Sequence, residues 1–487
     1  MAADNRIRRI APAALCLLAA CVLLLLCSQC SPLYPINVWG DANCLMTVGR
    51  VMKEGGVIYR DIYEQKGPTL YLIHAIAACI SDSSFLGVYV LEALSFAAVL
   101  YLAYGMIKRR RNNASAFGGA VFIGACLLVG STFSRGDSAE EFCLPYLMGA
   151  LYLAFAHYGE KDGPMDPRAL FVCGLLAGVV ATIKFTILGL FIGLCIAEGV
   201  LALRAGGMKR ALHSAGVFLA GMLLPICAWC AYFAAHGALG DFYTAYIHNN
   251  IFLYSDAART AMDVLHDIWD TVRGNILWVL LAGIGMLGLI ADRREKLQLR
   301  LAVLSMAICS FAAVYLLGRT WHYSPLVLGV FALAAYGSLP GIEGRFCGRA
   351  ARVAVGCVSC ALALAVALWM SPNAYLRGKP HRKLAQYRLA KYVHEGATLL
   401  QYSHLDDGLY LAANRLPQQK YFVRLNVNYD EMYEELDRYV AEAIPDYVVT
   451  AWSPLPEEFD RYQLIAKDAG YDDRDRINKM LYLYRRK

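Results

Sequence analysis

The apolar residues of this chain are not scattered. They gather in uninterrupted blocks of about 17–25 residues, the length at which a helix crosses the hydrocarbon core of a bilayer. In that medium the backbone must satisfy its own N–H and C=O groups, so each block predicts a helix. The 487 residues are 58% hydrophobic and 17% charged, whereas a soluble domain is nearer a quarter charged. The formal charge of +7 is modest, and its lysines and arginines cluster in short loops. That is a pattern of membrane topology and excludes a nucleic-acid partner. Most of the sixteen cysteines, such as Cys16, Cys21, Cys126, Cys173, Cys195, Cys309 and Cys360, lie inside apolar blocks as small hydrophobes. Cys27 and Cys30, at a span end, leave room for one local bridge.

The first block, Ile10 to Leu26, follows Arg6, Arg8 and Arg9. Leu18-Ala19-Ala20-Cys21 fits a lipoprotein cleavage signal, but the apolar run continues past Cys21, so a retained signal-anchor helix is expected. Further spans are predicted within 69–107, read as one full span with an interfacial helix, then at 116–132, 142–158, 169–183, 186–203, 211–235, 274–291, 300–317, 324–340 and 351–370. The total is about eleven. With the N-terminus inside, one set of loops carries Lys108 to Arg111, Arg204 with Lys209 and Arg210, Arg293 to Lys296, and Arg345, Arg349 and Arg352. The opposite set is poorer in basic residues outside its long first loop. The positive-inside rule then puts 31–68, 133–141, the turn at Lys184, 236–273, 318–323 and everything after 371 on the outer face of the plasma membrane.

The membrane domain therefore covers 1–372. Over 373–487 the apolar blocks stop. Strand-like runs at 398–402, 420–425, 446–451 and 480–485 alternate with amphipathic helical stretches at 382–395, 429–443 and 456–469. This predicts a small α/β domain outside the membrane. It shows no glycine-rich nucleotide loop and no nucleophile elbow, so no chemistry of its own is visible.

The ionisable residues of the first outer loop suggest chemistry. Asp41 follows Trp39-Gly40 just beyond the first span, and Leu45, Val48, Val51 and Met52 have the spacing of an interfacial helix. Gly55-Gly56 ends it. Tyr59, Arg60, Asp61, Tyr63, Glu64, Gln65 and Lys66 then lead into Gly67-Pro68. Solvated charges capping helix ends are the plain reading of such a loop. Acids and a lysine bracketing an interfacial helix at the headgroups also suit a reaction between a lipid phosphate and a polar acceptor.

With those residues in view, the loop resembles the first outer loop of the GT-C glycosyltransferases. These polytopic enzymes take sugars from polyprenyl-phosphate carriers, as protein O-mannosyltransferases and lipid A aminoarabinose transferases of the glycosyltransferase family 39 kind do. Asp41 matches the family's acid after the first span, and Tyr63-Glu64-Gln65-Lys66-Gly67-Pro68 matches its aromatic-acid-lysine-proline stretch. Gly67 departs from the second proline often found there. The resemblance is loose over the roughly 370-residue membrane portion and sharp over about residues 38–74. It implies a further acid in the second outer loop, where Arg135, Asp137, Glu140 and Glu141 stand. It also matches a glycine-rich span ending in a lysine, here Lys184. For Lys184 the plain reading is snorkelling to the surface, and the functional one is a phosphate or an acid from another loop. At 318–325, Arg319 and His322 carry functional suspicion, while Trp321 and Tyr323 read as interface anchors.

The implied reaction displaces a phosphate while a hydroxyl attacks the anomeric carbon, by analogy with inversion. Asp41 is the expected general base. Lys66, Lys184, Arg319 and Arg60, in that order, are expected to neutralise the leaving phosphate. Asp61, Glu64, Glu140 and Glu141 are the other candidate catalytic acids, with Asp137, Tyr59, Tyr63 and His322 as substrate contacts. A divalent cation held by Asp41, Asp61 and Glu140 or Glu141 is the alternative use of these acids. The aromatic, polar stretch 241–256 reads as an interfacial helix, with a sugar or lipid-tail site as the alternative. A transporter or flippase of lipid-linked sugars is the rival class. It would keep its charges near the bilayer midplane and show an internal repeat, neither of which the sequence displays.

Overall fold

The computed structural model describes residues 2–254, 259–317, 320–338, 348–470 and 479–487. In chain order the helices are α1 (Ala2–Cys27), α2 (Gly40–Lys53), α3 (Pro68–Ile80), α4 (Leu86–Ile107), α5 (Asn113–Leu128), α6 (Ala139–Tyr158), α7 (Pro167–Lys184), α8 (Gly189–Ala235), α9 (Leu239–Phe242), α10 (Ala261–Gly274), α11 (Ile276–Ala291), α12 (Leu297–Tyr315), α13 (Gly329–Ala335), α14 (Arg349–Met370), α15 (Ala385–Leu389), α16 (Leu409–Ala412) and α17 (Asp430–Ala441). Among the described residues five are long and apolar enough to cross a bilayer, or up to six if the pair α10–α11, bent by 102°, counts as one span. Four shorter apolar helices lie at Ala11–Cys27, Pro68–Ile80, Asn113–Leu128 and Ser324–Ala335. Region 69–107 is two helices, of which only α4 has spanning length. The described cysteines are all thiols, so the local bridge allowed for Cys27 and Cys30 is not formed.

The chain divides into two compact units. The first takes Met1–Ser28, Glu92–Trp229 and Ala257–Tyr375. Its helices approach closely because small residues stand at the crossings. A side chain at Gly118 of α5 would meet the Gly356 carbonyl of α14 at 2.6 Å, and one at Gly356 would meet the Ala114 carbonyl at 2.6 Å. Gly174 of α7 would likewise meet the Phe218 carbonyl of α8 at 2.0 Å. Lipid offers apolar surface as good as leucine, so close backbone packing supplies the association. Helix α8 breaks at Gly206 and Gly207 (φ 65°), inside the basic turn expected between two spans. Helix α10 begins with a Thr260–Asp263 capping box and leaves Met262, Leu265 and Trp269 exposed on an apolar face, as a helix lying in the headgroup layer would.

The second unit takes Gln29–Leu91, Cys230–Asp256 and Leu376–Lys487. Helices α2 and α3 pack so tightly that a side chain at Gly49 would strike His74 at 2.5 Å. The segment Tyr243–Leu253 is wound as a π-helix. The last segment carries a four-stranded sheet in the order β1-β2-β4-β3, with β1 (Leu399–Gln401), β2 (Tyr447–Ala451), β3 (Tyr462–Gly470) and β4 (Lys479–Arg486). β1 and β2 are parallel, and the other pairings are antiparallel. Leu400, Val448 and Leu483 are buried with Phe422, Met432, Leu436 and Val440.

Two expectations fail here. The expected helix over 456–469 is largely β3, because pairing with β4 outweighs a local propensity that is weak at best. The expected strand over 420–425 is a buried irregular segment. Its carbonyls serve side chains and loops: Phe422 accepts from the Tyr410 hydroxyl (3.1 Å) and Lys420 from the Tyr63 N–H (2.8 Å).

Candidate active site

In the second unit the first loop folds around one ammonium group. Asp41 stands in the first turn of α2, where unpaired helix N–H groups favour a negative charge. Proline at the first position of α3 fixes the other end of the loop. Between them the Lys66 Nζ lies 3.7 Å from an Asp41 oxygen and 3.0 Å from a Glu64 oxygen. The other Glu64 oxygen accepts the Lys66 backbone N–H at 2.9 Å, so the buried carboxylate clamps both ends of that lysine. Burial works against the charged lysine, but Asp41 and Glu64 outweigh it and hold its pKa well above the ordinary value. Lys66 therefore stays charged throughout the physiological range.

Tyr59, Tyr63 and Asp61 shape this loop. Tyr59 is buried at φ 69°, an uncommon conformation for a bulky residue, and its hydroxyl donates to the Lys66 carbonyl at 2.6 Å. Burial pushes its phenol well up. Tyr63 accepts from Asn249 (2.8 Å), and Asn250 donates to the Gln65 carbonyl (2.6 Å). Asp61 accepts the Val57 N–H at 2.7 Å and pairs with its neighbour Arg60 at 2.7 Å. The Arg60 hydrogen bond is the main cause that holds its carboxyl below the usual range. Arg60 also donates to the His236 carbonyl at 2.8 Å. Both residues close the loop.

The C-terminal segment supplies neighbours that sequence reasoning missed. A side chain at Gly40, next to Asp41, would meet Leu405 at 2.9 Å. Thr47 of α2 donates to buried Asp406 at 2.7 Å, and Arg50 donates to the Tyr410 and Arg415 carbonyls and to Asn414. Burial, partly opposed by Thr47 and the Gly408 N–H, pushes the Asp406 carboxyl up to about 6. His404 feels the Asp41 charge, although burial and Lys479 lower its pKa on balance. Lys479 pairs with Asp407.

The first unit holds a second acidic constellation. Glu92 of α4 accepts from Ser28 (2.7 Å), and Glu92 and Glu141 both accept the Asp137 N–H at 2.9 Å. The loop before α6 holds Ser134, Gly136 and Asp137 at φ 59°, 83° and 66°. Ser134 and Asp137, two non-glycine residues in the left-handed region, mark stored strain of the kind functional loops carry. Glu140 is buried and its oxygen lies 2.6 Å from the Lys184 Nζ. An acid from another loop is thus the partner of this lysine. Lys184 also lies 5.4 Å from the Tyr323 ring centre, and His322 contacts Ser134 at 3.2 Å. Arg319 lies outside the described residues. Sequence reasoning also missed Glu92, whose available signal is a lone acid in an apolar helix, whereas nothing near 404–407 marks those residues. Among the described residues, no group of three or more histidines, cysteines or acids has an arrangement that could hold a metal ion.

The fold is that of known membrane enzymes. ArnT from Cupriavidus metallidurans, in a structure bound to undecaprenyl phosphate, superposes with a TM-score of 0.62 at 14% identity, over 97% of this chain and 97% of that one. Its apo form gives 0.61 at 13% identity, over 99% and 98%. AglB, the archaeal oligosaccharyltransferase from Archaeoglobus fulgidus, in complex with an inhibitory peptide and a dolichol-phosphate, gives 0.49 at 12% identity, over 91% and 70%. The two ArnT superpositions show that the chain has the GT-C fold, and its five described helices of spanning length and apolar composition mark it as a multi-pass membrane protein. No curated protein matches its sequence significantly. One family model does match, over residues 3–335, and the chain belongs to that family, the putative competence-induced protein Ccs4 N-terminal domain.

Proposed function

We propose that the chain is a membrane glycosyltransferase that moves a sugar from a polyprenyl-phosphate carrier to an acceptor hydroxyl on the outer face. The observation that carries this reading is the Asp41–Lys66–Glu64 constellation at the start of α2, in a chain that shares its fold with an enzyme seen bound to undecaprenyl phosphate. Glu64 keeps Lys66 oriented and charged. The donor phosphate takes up the ammonium, which frees Asp41 to accept a hydrogen bond from the acceptor hydroxyl. As the acceptor oxygen bonds the anomeric carbon, the bond from that carbon to the phosphate oxygen breaks. The proton passes to Asp41, and the polyprenyl phosphate leaves against Lys66. Glu140 already holds Lys184, so an anion reaching that lysine must compete with a buried carboxylate. Asp61 is committed to Arg60, and the described residues do not form a cation cage, so no step is routed through a metal. The reading includes about eleven spans, with the N-terminus inside and 373–487 outside.

The test is reconstitution in sealed vesicles with a radiolabelled polyprenyl-phosphate sugar, together with mass spectrometry of envelope glycans in cells with and without the protein. Asp41→Asn and Lys66→Ala are each expected to lower transfer by about 10²–10⁴-fold at normal expression. Transfer that survives both substitutions, or label that crosses the bilayer with no new glycosidic bond, overturns the reading.

A further inference from the structure

A cavity of about 250 Å³ opens in the second unit against Tyr59 and Tyr63 of the first loop, and the mechanism above does not use it. It is lined by Tyr59, Tyr63 and Tyr429 together with Asp241, Lys420 and Glu431. Its three walls come from the first loop, from the residues around α9, and from the segment before α17 with the first turn of that helix. Each wall is fixed. The Tyr63 N–H donates to the Lys420 carbonyl at 2.8 Å, and the Lys420 Nζ lies 3.0 Å from Asp241. Tyr63 and Tyr429 have ring centres 5.4 Å apart at 38°. The hydroxyls of Tyr421 and Tyr429 both donate to Glu431.

The chemistry of the lining narrows the occupant. Two carboxylates and one ammonium line it, and that ammonium is already paired with Asp241. A phosphate would meet an excess of negative charge, so this is not a second donor-phosphate site. The space is smaller than a typical drug-sized site and suits about one ring. Tyr59 and Tyr63 are buried with their rings packed on other aromatics, so the lining presents mainly hydroxyls, carboxylates and an ammonium, which exchange hydrogen bonds with the hydroxyls of a sugar ring.

We propose that this cavity is a subsite for one neutral sugar ring of the acceptor. The assignment of the occupant to the acceptor rests on the transferase reading, whereas the sugar preference rests on the lining alone. The subsite is also tied to the reaction. Tyr59 lines the cavity and its hydroxyl holds the Lys66 carbonyl at 2.6 Å, so an occupant leaning on Tyr59 bears on the loop that positions the ammonium.

The experiment uses the full chain carrying Asp41→Asn, whose transfer is expected to be strongly slowed, in lipid nanodiscs with no donor present. Saturation-transfer NMR is recorded with methyl β-glucoside and with N-acetylglucosamine, and inorganic phosphate and ethanolamine are added as competitors. At least one of the two sugars is expected to receive saturation, and neither competitor is expected to displace it. Tyr429→Ala or Glu431→Gln is expected to weaken the signal about five- to tenfold, the loss of one aromatic or charged contact. Glu431→Gln keeps the side-chain shape, so it decides the matter if Tyr429→Ala misfolds. No transfer to either sugar, an unchanged signal in Glu431→Gln, or displacement by phosphate or ethanolamine overturns the proposal. Because binding is read without turnover, a failed vesicle assay with intact sugar binding sinks the transferase reading alone. An active enzyme with no sugar binding sinks only the subsite.

Discussion

Lys184 and Glu140 show how the residue scale governs both stability and chemistry here. Glu140 is buried and its partner is 44 positions away. Removing the ammonium strands a charge in a poor solvent, so Lys184→Met is expected to destabilise the protein by about 3–5 kcal/mol. Adding Glu140→Gln should restore most of that loss, and thermal unfolding of the two single variants and the double variant measures it. Asp406 gives a pH signature. Its folded-state pKa of about 6 lies above the ordinary 3.8, so the folded state binds its proton more tightly than the unfolded chain. That contribution is fully present below about pH 4, falls as the pH rises through 6 and is then flat, a change of about 3 kcal/mol. Asp406→Asn should lack this slope. Subtracting its unfolding free energy from that of the wild type across pH 4–8 isolates it from the other carboxylates. The loop from Tyr63 to Pro68 was legible because its clamp is local: Glu64 holds a lysine two residues on. Thr47 and Asp406 were not legible as partners, since 359 positions separate them.

At the scale of elements, glycine decides where backbones meet. Gly136 sits at φ 83°, and a side chain there would lie 2.6 Å from the Ser28 hydroxyl and 2.7 Å from Glu92. Gly136→Ala is therefore expected to cost about 1–3 kcal/mol and to disturb the Glu92–Glu141 pair, read as a lower unfolding temperature. Gly356→Leu should force α14 away from α5, because the Ala114 carbonyl occupies the space its side chain needs. Accelerated amide exchange confined to those two helices is the expected result. Helix positions were readable from apolar run length, since a bilayer permits few alternatives. The sheet was readable only in part. β2 and β4 coincide with apolar alternation, but β3 is polar enough to pass for a helix until β4 pairs with it. The 420–425 run has strand composition yet is used for its carbonyls.

At the scale of the whole molecule, the second unit is assembled from three stretches of chain, 29–91, 230–256 and 376–487. Asp41 and Lys66 lie in the first, the Asp241 wall of the cavity in the second, and Asp406, Lys420 and Glu431 in the third. Composition could mark the last stretch as unlike a membrane span, but it could not reveal that its residues pack with the first outer loop. The Thr47–Asp406 hydrogen bond implies a cooperative unit. Thr47→Val should therefore raise amide exchange in α2 and in residues 404–412 together, whereas independent behaviour of those two segments would contradict it.

The three-part construction has a consequence for biosynthesis. Asp41 and Lys66 leave the ribosome early, but the carboxylate that receives Thr47 and the Lys420 and Glu431 side chains of the cavity wall follow more than 300 residues later. Until then Lys66 has its local clamp from Glu64, but the first outer loop lacks the contacts that Asp406 and the Lys420 carbonyl give it. Synthesis order thus acts as a timer on the transferase reading: a nascent chain, or one cut short before residue 404, carries Asp41 and Lys66 without these late contacts and is expected to transfer no sugar until the last segment is made.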